Sequence, residues 1–225
     1  MDNENLKLIE ETLERVLEDA PLAAIDIANG TSTEADALWK NLEELGLVRM
    51  CAAEAHEGIG LSLAEAVPLI AASGRFALPA PFPDAVLAHM LLSEAEISAE
   101  NSRIGVVVGR QSLLPYAAQC TNALALVGAN SDLRVKLFSL EKCPIDFVPD
   151  MEDGLGYVDL SKAAILHDVP APEGVTHDTL TALGALIRSA QMAGAMQFVL
   201  GLTLKHSAER QQFGRPLASF QAIQH

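Results

Sequence analysis

Residues 179–211, TLTALGALIRSAQMAGAMQFVLGLTLKHSAERQ, decide the fold that the sequence predicts. No proline interrupts this stretch, and at 1.5 Å per residue a helix of this length spans about 50 Å. Large apolar residues fall on most of its circumference, so one neighbouring element cannot cover them all. Small residues between them allow other helices to approach closely. The stretch predicts the beginning of a C-terminal helical bundle, residues 173–225, whose core further residues or another chain must complete.

The N-terminal region, residues 1–102, has the pattern of an all-helical domain. Apolar residues at spacings of three and four indicate amphipathic helices, and short polar residues before them are typical N-caps. Ser62 followed by Glu65 has the spacing of a capping box. The expected boundaries are Pro21 after the first helix, Ser32 or Thr33 and Gly46 around the second, Ser62 and about Ser73 around the third, and Asp84 and Leu92 around the fourth.

The pattern changes in residues 103–172. Runs rich in valine and leucine at 103–110, 123–129 and 133–140 are separated by proline, asparagine, aspartate and glycine, as strands are separated by turns. We expect a small sheet or barrel there, followed by a linker over Val169–Gly174. The predicted fold class is α+β, mainly α, in the order helical domain, small β domain and helical bundle.

Composition excludes several functional classes. The 225 residues carry a net charge of −15, which makes a protein that follows nucleic-acid phosphates or an anionic membrane surface improbable. The acidic N-terminus has no apolar leader segment, and polar residues interrupt the most apolar stretch, 180–204, so we expect no membrane span and a cytoplasmic location. Cys51, Cys120 and Cys143 fit neither a disulfide framework nor a metal site, and we interpret them as reduced core thiols.

Charge is unevenly distributed along the chain. Residues 1–60 hold 14 acidic and 4 basic side chains, whereas residues 182–225 hold 4 basic side chains and Glu209 as their one acid. This locally basic tail suits an anionic ligand or an acidic partner surface. A helix end whose cations complement the helix dipole explains the same residues without any ligand.

The sequence HSAERQQFGRPLASFQAIQH, residues 206–225, resembles the signature of the acyl-CoA dehydrogenase family, in which a long helix ends in Arg-x-x-Phe-Gly before a basic-Pro turn. The preceding residues 190–210 resemble the small-residue helix of that family, and residues 41–70 resemble part of its N-terminal domain. The matching tail residues are Arg210, Phe213, Gly214, Arg215, Pro216, Phe220 and Gln221.

The chemistry of this motif suits a dinucleotide. Arg210 offers a planar fork of donors for a pyrophosphate, and Phe213 offers a flat ring for stacking. The resemblance implies that Arg210 and Gln212 lie near the pyrophosphate of FAD in a neighbouring subunit, with Phe213 beside the adenine end and Gln221 at the ADP portion. It therefore implies a dimer or tetramer, homomeric or with another dehydrogenase chain. Taken singly, each residue has an ordinary structural explanation as a cap, a core ring or a solvated amide.

The resemblance also implies a reaction, the α,β-dehydrogenation of an acyl-CoA thioester. A carboxylate removes the α proton while the β hydride passes to FAD, and electron-transferring flavoprotein is the expected acceptor. One location of this base in the family corresponds to Gly184, which has no side chain, and the other lies beyond residue 225, so we identify no catalytic residue. The flavin-contacting motifs of the middle domain are also missing.

These departures keep alternatives open. The chain is a dehydrogenase whose remaining bundle helices lie outside residues 1–225, a non-catalytic partner that completes the FAD site of another chain, or a helical interaction module without cofactor. Other candidate residues favour packing or solvated roles: His206 before the motif, His56 and Glu57 in a glycine turn, and Cys120.

Overall fold

The computed structural model describes residues 3–19, 33–99, 103–108, 112–149 and 154–224. Six α-helices are found among these residues, together with short 3-10 turns and nine short strands. The helices are α1 (Asn3–Glu18), α2 (Thr33–Glu44), α3 (Leu63–Arg75), α4 (Phe82–Glu94), α5 (His177–Glu209) and α6 (Gln221–Gln224).

The N-terminal helices begin and end close to the expected positions. Ser62 caps α3, because its hydroxyl accepts from the Glu65 backbone N–H while the Glu65 carboxylate accepts from the Ser62 N–H at 2.8 Å. Gly46 follows α2 with a φ of 72°, a left-handed conformation that favours glycine. The predicted capping box and helix stop are confirmed. Pro21 and Ser32 lie outside the described residues.

The middle region forms two sheets. The larger has the strand order β1-β3-β4-β7, in which β1 runs parallel to β3 and the other pairs are antiparallel. The smaller has the order β2-β6-β5 and is antiparallel. The strands are β1 (Ile104–Val107), β2 (Leu113–Leu114), β3 (Asn122–Val127), β4 (Arg134–Ser139), β5 (Ile145–Phe147), β6 (Gly156–Val158) and β7 (Ala164–Pro170).

The alternation of side chains along the larger sheet divides the core in two. One face, which includes Val106, Leu124 and Val135, packs in the same cluster as the N-terminal helices and α5. The other face, which includes Ala125 and Phe138, packs with the smaller sheet. Because successive residues of a strand point to opposite faces, one sheet serves as the shared wall of both cores. The mixed α+β fold is confirmed, and its β part consists of two open sheets in the described residues rather than a barrel.

The predicted linker over Val169–Gly174 is wrong at its first two residues. Val169 and Pro170 belong to β7, where they lie opposite Val135 and Arg134 of β4. A proline is tolerated there because β7 is the outer strand of the sheet and needs no N–H donor on its free side. The chain leaves the sheet only after Pro170.

Helix α5 has 33 residues, as the sequence predicted, and begins two residues earlier than expected. Thr176 caps it in a reciprocal box with Thr179. It crosses α3 at very short distance, because a Cβ on Gly74 would lie 1.9 Å from the Gln191 carbonyl oxygen and one on Gly194 would lie 1.8 Å from the Ala71 carbonyl oxygen. Glycines at the crossing therefore let the two helix backbones touch.

Candidate functional site

Helix α5 carries the candidate site at its far end. We call residues 177–194 its packed half and residues 195–209 its projecting half. The buried residues of the helix all lie in the packed half. The projecting half ends in a small hairpin of β8 (Gln211–Gln212) and β9 (Arg215–Pro216). Of the predicted cofactor-binding residues, Gln212 and Phe213 lie in this hairpin, Arg210 directly precedes it and Gln221 follows it in α6. The site thus lies on a helix extension that projects beyond the packed core of the chain.

A tight turn joins the two strands of this hairpin. Its loop is Phe213 and Gly214, which have φ values of 51° and 77°, the pattern of a type I′ turn. The Leu217 N–H donates to the Arg210 carbonyl oxygen at 2.8 Å and closes the base of the hairpin. Arg210 itself ends α5, where its N–H donates to the His206 carbonyl oxygen. The backbone therefore fixes the position of the motif relative to the helix axis.

Arg210 and Gln212 form one polar group on this hairpin. When the Gln212 amide is turned with its oxygen toward Arg210, that oxygen accepts from Nε at 3.3 Å and from Nη2 at 3.1 Å. Arg210 is exposed, so its other guanidinium edge faces solvent. A guanidinium held by an amide and open on one edge is suited to bind a phosphate through two parallel hydrogen bonds.

Aromatic rings lie beside this polar group. Phe213 is 94% exposed at the tip of the hairpin. It meets Phe220 edge to face with ring centroids 6.4 Å apart, and the Arg215 guanidinium lies 4.0 Å above the Phe220 ring. Gln221 begins the short helix α6 directly after this ring and is exposed. The structure brings Arg210, Gln212 and Phe213 together on one hairpin, with Gln221 next to Phe220.

A separate cleft lies beside Gly184 in the packed half of α5. It has a volume of about 350 Å³ and apolar walls from α4, β1, β2 and α5. A Cβ on Gly184 would lie 3.2 Å from Val108 Cγ2, so a side chain there would require Val108 to shift by a few tenths of an ångström. Helix α5 therefore supplies no carboxylate at Gly184, as the sequence indicated.

The structure places a different carboxylate in this cleft. Asp84, in the first turn of α4, is 3% exposed, and its Oδ2 accepts from Arg188 Nη2 at 2.5 Å. Burial raises the pKa of the Asp84 carboxyl, and Arg188 opposes that shift. Sequence reasoning missed this pair because 104 residues separate its members. The available signal was Arg188, the one charged residue in the stretch 179–204.

The weaker candidates have the ordinary environments that were expected of them. His56 Nδ1 lies 2.8 Å from Ser98 Oγ, and Glu57 pairs with Arg49 at 3.1 Å. His206 is exposed on the projecting half. Cys51 and Cys120 are buried free thiols whose pKa values are raised by burial, and Cys143 is a half-buried free thiol. Within the described part of the chain, no group of His, Cys, Asp and Glu side chains has the arrangement of a metal site.

The helices that the structure describes include none with the length and apolarity needed to cross a membrane. The interruption of α5 by Arg188 and several glycines is consistent with this finding.

Residues 177–225 match the family model described as acyl-CoA dehydrogenase, C-terminal domain. The chain is 28% identical over 235 aligned residues to acyl-CoA dehydrogenase IpdE2 of Mycolicibacterium smegmatis, covering 99% of this chain and 71% of that protein. It is also 28% identical to IpdE2 of Mycobacterium tuberculosis, over 84% of this chain and 59% of the relative. It therefore spans less than two thirds of the second relative.

Solved structures share the fold. A structure described as the Tcur3481-Tcur3483 steroid ACAD G363A variant superimposes with a TM-score of 0.76 and 20% identity, covering 99% of this chain and 72% of that one. The ChsE4-ChsE5 complex from Mycobacterium tuberculosis superimposes with a TM-score of 0.75 and 18% identity, covering 100% and 72%. At these identities the likeness establishes the fold alone.

Proposed function

We propose that this chain, which belongs to the acyl-CoA dehydrogenase family, is a subunit of a FAD-dependent enzyme that carries out the α,β-dehydrogenation of an acyl-CoA thioester. One observation carries the proposal: an exposed hairpin holds a guanidinium and an amide together at the end of a helix extension. Side chains at the end of this extension reach a ligand bound to another subunit more readily than a ligand bound within their own subunit.

The residues of the tail fit the dinucleotide part of FAD. Arg210, held by Gln212, would bind the pyrophosphate across a subunit boundary. Phe213 presents an exposed ring suited to the adenine, and Gln221 offers an exposed amide to the ADP portion. A pyrophosphate is doubly anionic, and the charge of residues 182–225 is positive in an otherwise acidic chain.

FAD supplies the hydride acceptor of such a reaction. The residues of this chain would bind and orient the two reactants and exclude water from them. The cleft beside Gly184 is the place for an acyl group, because its walls from Leu87, Val106, Val108 and Ile187 are apolar. We propose electron-transferring flavoprotein as the acceptor of the electrons and a dimer or tetramer as the assembly.

The description of one solved structure supports a proposal for the substrate class. A protein described as a steroid ACAD shares the fold of this chain, and we propose a bulky acyl-CoA thioester of steroid breakdown as the substrate. A second chain would then complete the enclosure of the acyl group, since the cleft of about 350 Å³ is small for a fused-ring substrate.

A second candidate function is that of a non-catalytic partner, which lends Arg210 and Gln212 to FAD held by another dehydrogenase chain. The absence of a side chain at Gly184 favours this role, because α5 then offers no carboxylate at this position. The matched ChsE4-ChsE5 structure is described as a complex. Both candidates require the tail to contact FAD, and they differ in which chain acts on the substrate.

The test is an absorbance spectrum of the purified protein across the flavin bands together with its native mass. We expect bound FAD in a dimer, a tetramer or a complex with a second dehydrogenase chain. Arg210→Ala should weaken FAD binding about tenfold or more, because it removes hydrogen bonds to a charged group worth about 1.5–3 kcal/mol.

Lys205→Ala is the matched control, since it removes an exposed cation from the same helix without touching the hairpin. It should leave FAD binding within about threefold of the parent, because an isolated exposed charge contributes little. A complex that holds FAD equally well with and without Arg210 contradicts both candidate functions. A flavin-free chain that joins no flavin-containing complex contradicts them as well.

A further inference from the structure

The cleft beside Gly184 contains an ion pair that is separate from the hairpin, and the carboxylate of this pair is buried. Asp84 of α4 and Arg188 of α5 both line its wall, and their side chains are 4% and 34% exposed. Arg188 Nη2 donates to Asp84 Oδ2 at 2.5 Å, and its Nη1 donates to Gln191 Oε1 at 2.6 Å. The guanidinium is therefore fixed by two partners and holds the carboxylate at the cavity surface.

Packing alone is a weak explanation for such a pair. Removing a carboxylate from water costs several kcal/mol, and apolar residues of similar volume often replace a buried ion pair without loss of stability. The surrounding walls are apolar, from Leu87, Val106 and Ile187, so an apolar pair would complete them. An ion pair in the wall of a cavity therefore indicates an interaction with the molecule that the cavity binds.

The environment of Asp84 suits proton transfer. Burial favours its neutral form, while the Arg188 guanidinium and the N-terminal turn of α4 favour its charged form. Cys120 is the other titratable group that senses Asp84, and its thiol is buried and protonated because burial raises its pKa. Among the described residues, Arg188 is the charged group that shifts the pKa of Asp84, and it keeps its charge when the carboxylate takes up a proton.

We propose that Asp84 is the carboxylate that removes the α proton of the acyl-CoA thioester in this cleft. This inference rests on the proposed dehydrogenase function. It assigns the base to α4, one helix away from Gly184, and so gives this chain a catalytic residue in a cleft where α5 offers none.

The α C–H bond breaks, its proton forms an O–H bond with an Asp84 carboxylate oxygen, and the electron pair stays on the α carbon as the thioester enolate. Bound FAD would supply the acceptor for the β hydrogen, which leaves with its two electrons as a hydride, and the electron pair on the α carbon then forms the α,β double bond. Arg188 keeps its charge throughout, so the cleft holds a cation beside the enolate when Asp84 becomes neutral.

The experiment separates proton removal from oxidation. The full chain in its FAD-loaded complex is incubated in D₂O without an electron acceptor, with octanoyl-CoA and with cholanoyl-CoA as probes. Mass spectrometry follows deuterium entering the α position, and absorbance follows flavin reduction. Asp84→Asn should lower both rates about 100-fold or more, the range expected for loss of a general base, while bound FAD and native mass stay unchanged.

Two matched variants interpret that result. Asp84→Glu keeps a carboxylate in the cleft and should retain exchange within about tenfold of the parent. Asp178→Asn removes an exposed carboxylate from the first turn of α5 and should change neither rate. Equal losses of the exchange rate in Asp84→Asn and Asp84→Glu would show a structural role for Asp84 and overturn the proposal. An exchange rate equal to the parent's in a folded Asp84→Asn complex would also overturn it.

Failure of the proposed function has a different signature. If the unmodified complex holds no FAD or oxidises neither probe, the dehydrogenase function fails. If it oxidises a probe and Asp84→Asn oxidises it equally fast, the function stands and the base belongs to another chain.

Discussion

The two halves of α5 have similar apolar composition and opposite environments. In the packed half, Leu180 and Ile187 are 2% and 1% exposed. In the projecting half, Val199 and Leu204 are 59% and 62% exposed. The difference arises outside the helix, because α3 and α4 lie beside the packed half. The apolar pattern of a helix therefore predicts which residues are suited to burial, whereas the neighbouring elements determine which of them are buried.

The largest effect should come from equivalent truncations in the two halves. Ile187→Ala removes a fully buried side chain and should lower the free energy of unfolding by about 2–5 kcal/mol. Leu200→Ala, at a position 59% exposed, should change it by less than about 0.5 kcal/mol. Urea unfolding of the isolated chain measures both. Similar losses in the two variants would mean that the projecting half is packed in solution.

Acid should destabilise the body that holds the packed half. Burial, with a smaller contribution from the Arg49 guanidinium, lowers the pKa of His89 on α4 to about 4. Below about pH 6.5 the unfolded chain binds a proton at this histidine and the folded chain does not, until about pH 4. The free energy of unfolding should thus fall with pH across that window, by up to about 3 kcal/mol.

Above about pH 6.5 the residue is neutral in both states and contributes no pH dependence. The measurement is the urea midpoint at about pH 7 and about pH 4.5, for the parent and for His89→Gln. The difference in pH dependence between the two proteins gives the contribution of His89, because both proteins contain the same carboxylates. An identical slope in both would contradict the low pKa.

Two glycines test the helix crossing. Gly194→Ala places a Cβ against the Ala71 carbonyl oxygen and should cost about 1–3 kcal/mol of unfolding free energy. Gly201→Ala, with no atom within 4 Å of the new Cβ, should instead gain about 0.5–1 kcal/mol from helix propensity. Thermal unfolding monitored by circular dichroism compares them. Stabilisation by both substitutions would contradict the close α3–α5 contact.

The smallest effect on folding is expected from a charge in the projecting half. Leu200→Glu should leave the free energy of unfolding within about 0.5 kcal/mol. It should nevertheless weaken subunit association, because a partner would have to desolvate the carboxylate. Native mass spectrometry measures the assembly, and Ser189→Glu on the exposed side of the packed half is the control. Unchanged association would exclude this face from the interface.

Local patterns predicted most of the fold. The Ser62–Glu65 capping box and the uninterrupted stretch of α5 depend on residues close in sequence, and both were found within two residues of expectation. The early start of α5 was missed because its box uses Thr179 where a glutamate or glutamine is usual. The end of β7 was missed because Pro170 signals a turn unless the strand is known to be an outer one.

The two candidate sites differ in the same respect, since one is contiguous in sequence and the other is formed by tertiary packing. The hairpin of Arg210 and Gln212 is continuous in sequence, so its residues were recognised as a group. The Asp84–Arg188 pair depends on how α4 packs against α5, and no spacing rule connects two residues on separate helices. Its detection required the tertiary structure.

The turn at Phe213 has a consequence for engineering. A large aromatic residue with φ of 51° is conformationally strained, at a cost of about 1–3 kcal/mol, and its ring is left almost wholly in water. Asparagine or glycine adopts this turn without such strain. A search for more heat-resistant variants of the isolated chain would therefore replace Phe213 early, and the variants it selects would have lost the ring that we propose for FAD binding.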